Sequence, residues 1–104
     1  ITAHKKGRYA MIRVIIERSI AESLEANYED TAKETLQKAI RSPGFISGES
    51  LKDITNSRHR VILCTWRSLQ DWQMWLLSEE RKEMMDKLNL MLEREEKVTV
   101  LEIP

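Results

Sequence analysis

The stretch "HRVILCTWRSLQDWQMWLLSEE", residues 59 to 80, contains a strand, a helix and the start of a second helical segment in succession. Its first eight residues, 59 to 66, are rich in apolar and β-branched side chains and give the clearest strand signal in the chain. Ser68, with Asp71 three residues later, has the spacing of a capping box and predicts that a helix begins there. Ser78, followed by two glutamates, predicts that this helix is broken and begins again.

Periodicity predicts the remaining elements. Residues 11 to 20, "MIRVIIERSI", are predicted to form a strand, and an apolar stripe at three- and four-residue spacing predicts a helix over 21 to 41. Residues 45 to 54 are predicted as a strand with a bend or bulge at Gly48, and residues 97 to 103 as a final strand. The order β-α-β-β-α-β is that of the ferredoxin-like α+β fold, with a four-stranded antiparallel sheet and helices on one face.

The start of the first helix has a signal of its own. Ser19 and Glu22 stand three residues apart, the spacing of a capping box, and predict that the helix begins directly after the first strand. Its end is predicted at "RSPG", residues 41 to 44, because proline disfavours helical backbone in the preceding residue and glycine permits a turn.

Both faces of the predicted sheet carry apolar residues. Ile62 and Trp66 point to one face of their strand and Leu63 to the other, and Val100 and Leu101 divide in the same way on the last strand. Helices can cover only one face, and an exposed apolar face of this size favours association. We therefore expect a second copy of the chain to cover it, sheet against sheet, in a two-fold homodimer.

Composition and charge exclude several classes of protein. The 104 residues carry 17 basic and 17 acidic side chains, and a net charge of zero argues against a nucleic-acid partner. No apolar run is long enough to cross a membrane. A single cysteine, Cys64, excludes an internal disulfide and favours the cytoplasm. Residues 1 to 10 are expected to be a tail, either artificial or a genuine extension, ahead of one domain over residues 11 to 104.

Few residue patterns suggest metal or cofactor chemistry. His4 and His59 have no cysteine or histidine partner nearby in sequence, so no metal site is predicted. The isolated glycines form no phosphate-binding loop, and no cofactor is predicted. Cys64 stands among apolar neighbours and is predicted to be a buried structural thiol. His59 opens a strand beside a loop, which is typical of an exposed histidine, with an acid–base role as the alternative.

The tryptophans and methionines are candidates for a pocket lining. Trp66 ends a strand beside a short helix, a position that favours a ligand pocket and a plain aromatic core equally. Trp75 is predicted to pack the helix against the sheet, and Trp72 is compatible with either role. The stripe of Met84, Met85 and Met91 is typical of core packing, with an adaptable pocket lining as the alternative.

Two runs, "SPGFISGESLKD" (42 to 53) and "VILCTWRSLQDWQMWLLSEERKE" (61 to 83), resemble the antibiotic biosynthesis monooxygenase domain of the dimeric α+β barrel superfamily. The resemblance covers nearly all of residues 11 to 103. It implies a homodimer whose sheets face each other, with a pocket in each subunit between sheet and helices. It also implies oxidation of an aromatic substrate by molecular oxygen without metal or flavin, through a carbanion of the substrate.

The resemblance extends only in part to individual residues. Trp66 matches the pocket tryptophan of the quinone-forming members. Their pattern has an asparagine where this chain has Ile62 and a tyrosine where it has Trp72. Both departures remove polar groups, which implies either the loss of quinone-forming activity or a more apolar substrate.

A second branch of the superfamily degrades heme with an asparagine, a tryptophan and an iron-ligating histidine. Trp75 fits the tryptophan, but the asparagine position holds Glu17 and the histidine position holds Met85. The resemblance therefore implies that the iron ligand is missing. We expect that this chain does not degrade heme.

Together these features predict a cofactor-independent monooxygenase of the antibiotic-biosynthesis type, acting on a small aromatic or quinol-like molecule. The candidate pocket residues are Trp66, Trp72, His59, Met85 and Glu17, and the sequence does not identify a catalytic residue. The alternative is a non-catalytic dimeric domain of the same fold that binds a small apolar molecule or serves in assembly.

Overall fold

The computed structural model describes residues 10 to 104. Its elements in chain order are strand β1 (Ile12–Ser19), helix α1 (Glu25–Ile40), strands β2 (Phe45–Asp53) and β3 (Asn56–Trp66), helices α2 (Leu69–Leu76) and α3 (Glu79–Asn89), and strand β4 (Lys97–Glu102). This order confirms the predicted ferredoxin-like plan with a divided second helix. Apart from Ala10, the predicted tail lies outside the described residues.

The four strands form one antiparallel sheet in the order β2-β3-β1-β4. In the register of the central strands, Ile12 lies opposite Trp66 and Ile16 opposite Ile62. Because side chains alternate along a strand, this register brings the apolar residues of β1 and β3 to the same face. That face is the one on which the helices pack.

Two of the three helices begin where the sequence predicts. The hydroxyl oxygen of Ser68 accepts a hydrogen bond from the backbone N–H of Asp71 at 3.1 Å. The Ser78 hydroxyl accepts one from the N–H of Arg81 at 3.2 Å. These caps satisfy backbone donors that the first turn of each helix leaves free. Ser78 thereby separates one helix from the next.

The predicted start of α1 is wrong. Ser19 stays in the sheet, paired with His59, and Ile20 forms a further bridge to Leu92. The chain then makes a turn in which Ser23 has a φ of 71°, and α1 begins after Leu24 without a side-chain cap. Pairing with a distant strand therefore takes precedence over the local capping signal.

Of the predicted bend or bulge at Gly48, the bulge is wrong, because Gly48 pairs regularly with Cys64. The irregular steps of β2 lie at its two ends, between Phe45 and Ser47 and between Lys52 and Asp53. Glycine at position 48 instead permits a close approach. A Cβ added there would lie 2.9 Å from a ring carbon of Phe45, a contact that leaves no room for a methyl group.

The core between helices and sheet has two parts. The aromatic part consists of buried residues from β1, β3, α1 and α2: Ile12, Val14, Ile16, Ala39, Ile62, Cys64, Trp66, Trp72 and Trp75. The second part consists of Ile20, Tyr28, Ala32 and Leu88. Cys64 is buried, as predicted. Ile40, the last residue of α1, is mostly exposed.

The opposite face of the sheet has no helix against it among the described residues. Ile15 and Leu63 lie side by side on this face, and Leu51 and Leu101 are nearly half exposed. The two-sided apolar pattern is thus present in the folded chain, and the homodimer that would cover this face stays a prediction. No helix within residues 10 to 104 is long and apolar enough to cross a membrane.

Candidate functional site

The three tryptophans of the chain meet in one cluster around Trp66, which is 0% exposed. The ring centroids of Phe45 and Trp72 lie 5.3 Å and 5.8 Å from that of Trp66, both in edge-on geometry. Trp75 stacks on it at 6.4 Å. The indole N–H of Trp66 donates to the Cys64 sulfur at 3.3 Å. Strand β3 provides the central ring, and α2 provides two more from successive turns.

A cavity lies beside this cluster, between α1 and the sheet. The residues that line it are Ile16, Arg18, Ala32, Thr35, Leu36, Ala39, Phe45, Ile62, Cys64, Trp66, Trp72, Trp75 and Arg81. Its free volume is about 30 Å³, which is room for two water molecules at roughly 10–15 Å³ each. The small side chains of α1 that face the sheet, Ala32, Thr35 and Ala39, leave this space open.

The mouth of the cavity is formed by Leu36 and Phe45, the lining residues that are not fully buried. Both pack against Gly48, where an added Cβ would lie 2.9 Å from Phe45 and 3.3 Å from Leu36. Because the free volume is smaller than an aromatic ring, such a ring enters only when these side chains move aside.

The other end of the cavity is charged. Arg18 of β1 and Arg81 of α3 line it, and the carboxylate of Glu96, in the segment before β4, accepts hydrogen bonds from both. The Arg18 Nε lies 2.9 Å from Glu96, and its Nη1 donates to the Tyr28 hydroxyl at 3.1 Å. The side chains of Arg18, Glu96 and Arg81 are 4%, 11% and 10% exposed. We call these three residues the arginine–glutamate trio.

The trio carries one net positive charge. Burial by itself would raise the pKa of Glu96, but the charges of Arg18 and Arg81 outweigh this and hold the pKa below its ordinary value. Glu96 is therefore ionised at neutral pH between two guanidinium groups. The Arg81 guanidinium also lies 6.0 Å from the centroid of the Trp72 ring, which joins the charged end of the cavity to the aromatic end.

Cys64 is not activated by these neighbours. Burial raises the pKa of its thiol, and the hydrogen bond from Trp66 and the charges of Arg18 and Arg81 offset this only in part. A thiolate is the nucleophilic form of cysteine, so the protonated thiol is a poor nucleophile at neutral pH. Cys64 acts here as a small packing residue and as an acceptor for the Trp66 indole.

A separate polar cluster lies on the open face of the sheet. His59 is 2.9 Å from Asp53 through Nδ1 and 3.4 Å from Glu17 through Nε2. The hydrogen bond to Asp53, and then that to Glu17, raise the pKa of His59. The hydrogen bond from His59, with those from Thr55, lowers the pKa of Asp53 to about 2. His59 is about one third exposed, in agreement with its predicted position at a loop end.

The five predicted pocket residues thus lie in three places. Trp66 and Trp72 line the cavity. Glu17 and His59 meet each other on the opposite face of the sheet. Met85 packs against the second part of the core. Trp75, which was predicted only to pack the helix, lines the cavity as well.

The arginine–glutamate trio was not among the residues predicted from the sequence. Arg18 continues the inward alternation of Ile16 along β1, and Arg81 lies three residues before Met84 on the buried stripe of α3. Both positions were therefore visible in the periodicity. Within residues 10 to 104, no group of three or more His, Cys, Asp or Glu side chains is arranged to hold a metal ion.

The fold and its cavity define the class of protein: a ferredoxin-like α+β domain with an aromatic cavity between the sheet and its helices. The family model described as antibiotic biosynthesis monooxygenase matches residues 11 to 87. The chain therefore belongs to the antibiotic biosynthesis monooxygenase family, which confirms the resemblance in the sequence.

Solved structures share this fold at low sequence identity. A conserved protein from Methanosarcina mazei Go1 is 16% identical, with a TM-score of 0.82 over 92% of this chain and 95% of that one. SnoaB, a cofactor-independent oxygenase from Streptomyces nogalater, is 14% identical, with a TM-score of 0.77 over 86% of this chain and 91% of its own. Rv0793 from Mycobacterium tuberculosis is 16% identical, with a TM-score of 0.81 over 91% and 95%. No curated protein sequence matches this chain.

Proposed function

We propose that this chain is a cofactor-independent monooxygenase that oxidises a small aromatic or quinol-like compound in the cavity between sheet and helices. The observation that supports this most strongly is the position of two buried arginines at one end of a cavity walled by three tryptophans, in a chain of this family. A fold neighbour, SnoaB, is described as a cofactor-independent oxygenase.

The proposed reaction needs an ionised substrate. Oxidation of a methylene group beside a carbonyl consumes one molecule of oxygen. One oxygen atom becomes the new carbonyl oxygen, and the other leaves as water with the two hydrogens of that carbon. A carbanion, in its enolate form, is the species that transfers electrons to oxygen. Arg18 and Arg81 stabilise that anion because the arginine–glutamate trio carries one net positive charge in a site with little water.

The cavity has no free general base among its lining residues. Its titratable side chains are Arg18, Cys64 and Arg81, and the raised pKa of Cys64 keeps that thiol protonated. The substrate therefore has to be acidic enough to lose its proton to water once the arginines favour its anion. The tryptophan rings hold the flat body of the substrate and exclude water from the reacting carbon.

The proposed active form is a single domain over residues 11 to 104, paired as a homodimer through the open face of the sheet. The half-exposed Leu51 and Leu101 on that face support the pairing. Because Cys64 is the one cysteine of the chain, we place the protein in a reducing compartment, the cytoplasm.

Oxygen consumption tests the proposal directly. A panel of hydroquinones and anthrones is supplied to the protein at an oxygen electrode with a chelator present. At least one compound is expected to give protein-dependent oxygen uptake. Arg81→Gln is expected to slow it about tenfold or more, because the anion loses one charged donor. Lys82→Gln, which removes an exposed charge at the next position, is the matched control and keeps the rate.

A non-catalytic dimeric domain of the same fold is the second candidate. The small free volume favours it, because three tryptophan rings already fill most of the space between α2 and the sheet. The same experiment separates the two candidates. If no compound in the panel raises oxygen uptake above the protein-free rate, the non-catalytic candidate takes the place of the oxygenase.

A further inference from the structure

The two arginines that line the cavity, Arg18 and Arg81, make few hydrogen bonds to other described residues. Each guanidinium group carries five N–H donors. Among residues 10 to 104, Arg18 directs one nitrogen to Glu96 and one to Tyr28, and Arg81 directs one to Glu96. The remaining donors belong to side chains that line the cavity. Within residues 10 to 104 no fully buried side-chain nitrogen or oxygen lacks a hydrogen-bond partner, so the guanidinium nitrogens without a partner are accessible, and a ligand with acceptor atoms can reach them.

The net positive charge at the arginine end of the cavity indicates which kind of acceptor group fits there. Glu96 neutralises only one of the two guanidinium groups, and both are nearly excluded from solvent. An ammonium group would be repelled, and a neutral hydroxyl would leave the net charge uncompensated. A single oxyanion would neutralise it and accept two parallel hydrogen bonds from one guanidinium.

We propose that the natural ligand of this cavity is an aromatic compound bearing one oxyanion, a carboxylate or an acidic phenolate, held by Arg18 and Arg81 with its ring against Trp72. The inference rests on the proposed function, since it assigns the substrate class of the same cavity. The 6.0 Å separation of the Arg81 guanidinium from the Trp72 ring sets the two subsites side by side. A ligand with its acid group directly on a ring system spans them.

Three naphthalene derivatives of similar shape test this inference: 2-naphthoate, 2-naphthylmethanol and 2-naphthylmethylamine. Binding to the wild-type protein is measured by titration calorimetry under nitrogen at pH 7 and low salt, so that no oxidation takes place. The naphthoate is expected to bind about tenfold or more tightly than the alcohol, because hydrogen bonds to a charged group are the stronger ones. The amine is expected to bind most weakly.

Arg81, which lines the cavity, and Arg60, which does not, provide matched variants. Arg81→Gln is expected to reduce the preference for naphthoate over the alcohol to less than about threefold while the alcohol still binds. Arg60 is equally buried and donates to Glu29 at 2.9 Å, but it does not line this cavity. Arg60→Gln is therefore expected to keep the full preference. Thermal melts establish that both variants are folded.

Equal binding of naphthoate and alcohol to the wild type, tightest binding of the amine, or no binding of any of the three would overturn the inference. The outcome of this experiment can be told apart from the outcome of the oxygen-uptake test. Tight naphthoate binding without oxygen uptake from the quinol and anthrone panel would support the inference and contradict the oxygenase. Oxygen uptake together with a preference for the neutral ligand would support the oxygenase and contradict the inference.

Discussion

Replacing Glu96 by glutamine tests the arginine–glutamate trio as a structural unit. Glu96 bridges Arg18 and Arg81, and all three side chains are at most 11% exposed. At an effective dielectric constant of about 20, a pair of charges about 4 Å apart contributes about 4 kcal/mol. Burying the ions costs several kcal/mol, which offsets much of this attraction. Removing one partner of such a buried pair typically costs about 3–5 kcal/mol.

We therefore expect Glu96→Gln to lower the free energy of unfolding at pH 7 by about 3 kcal/mol or more, in urea titrations at fixed protein concentration. In a domain of this size, that corresponds to a fall in Tm of more than about 10 °C. Glu34→Gln is the control, because Glu34 pairs with Lys87 at 3.8 Å at the exposed surface. That pair is expected to contribute less than about 1 kcal/mol.

The dependence on pH provides a second, independent test. The pKa of Glu96 is lowered in the folded protein, so its contribution is complete above the unfolded value of about 4.5. It is lost as the pH falls through the lowered pKa, where the protonated acid resembles glutamine. The stability difference between wild type and Glu96→Gln is expected to shrink below pH 4.5. A difference under about 1 kcal/mol at pH 7, or one that persists undiminished into strong acid, would refute the trio as a stabilising ion pair.

Three other predictions concern separate parts of the molecule. Trp66→Phe removes three buried heavy atoms and is expected to lower the free energy of unfolding by about 2 kcal/mol in urea titrations. The control Leu77→Ala removes three heavy atoms from a 78% exposed side chain and is expected to change the urea midpoint little. His59 has a raised pKa, so its ion pairs stabilise the fold fully below about pH 6.5 and lose this effect as the pH rises through that raised pKa. The Tm of the wild type is therefore expected to fall over that rise in pH, and the Tm of His59→Gln is expected to fall less. Sedimentation at micromolar concentration is expected to give about twice the chain mass, and a soluble monomer at that concentration would contradict the pairing of the open sheet faces.

Local signals in the sequence were sufficient where neighbours along the chain determine the structure. Ser68 and Ser78 cap helices because each hydroxyl accepts a hydrogen bond from an N–H three residues later, within one turn. The start of α1 was different. Ser19 and Glu22 have the same spacing, yet Ser19 is fixed in the sheet by its partner His59, forty residues away in the chain. No pattern within a short window contains that pairing.

The site shows the same division between local and distant causes. Alternation along β1 turns Arg18 inward, so its burial was predictable from Val14 and Ile16. The residue that neutralises it, Glu96, lies 78 positions further along the chain. Likewise, helical spacing brings Trp72 and Trp75 to one side of α2, but the space beside them depends on how closely α1 approaches the sheet. Because protein interiors are close-packed, that approach decides whether a ring lines a cavity or fills it.

The presence of an ion trio in this core is itself an argument for a ligand. Apolar residues of similar volume often stabilise a fold as well as a buried ion network does or better, so stability alone gives a weak reason for placing two arginines beside three tryptophans. A binding role gives a stronger one, and it makes a prediction that a structural role does not. Glu96→Gln leaves two positive charges at the end of the cavity, so the variant is expected to lose stability and yet to bind 2-naphthoate more tightly than the wild type does. If the trio were purely structural, Glu96→Gln would lose stability and also bind 2-naphthoate more weakly, because a loosened core would hold every ligand less well.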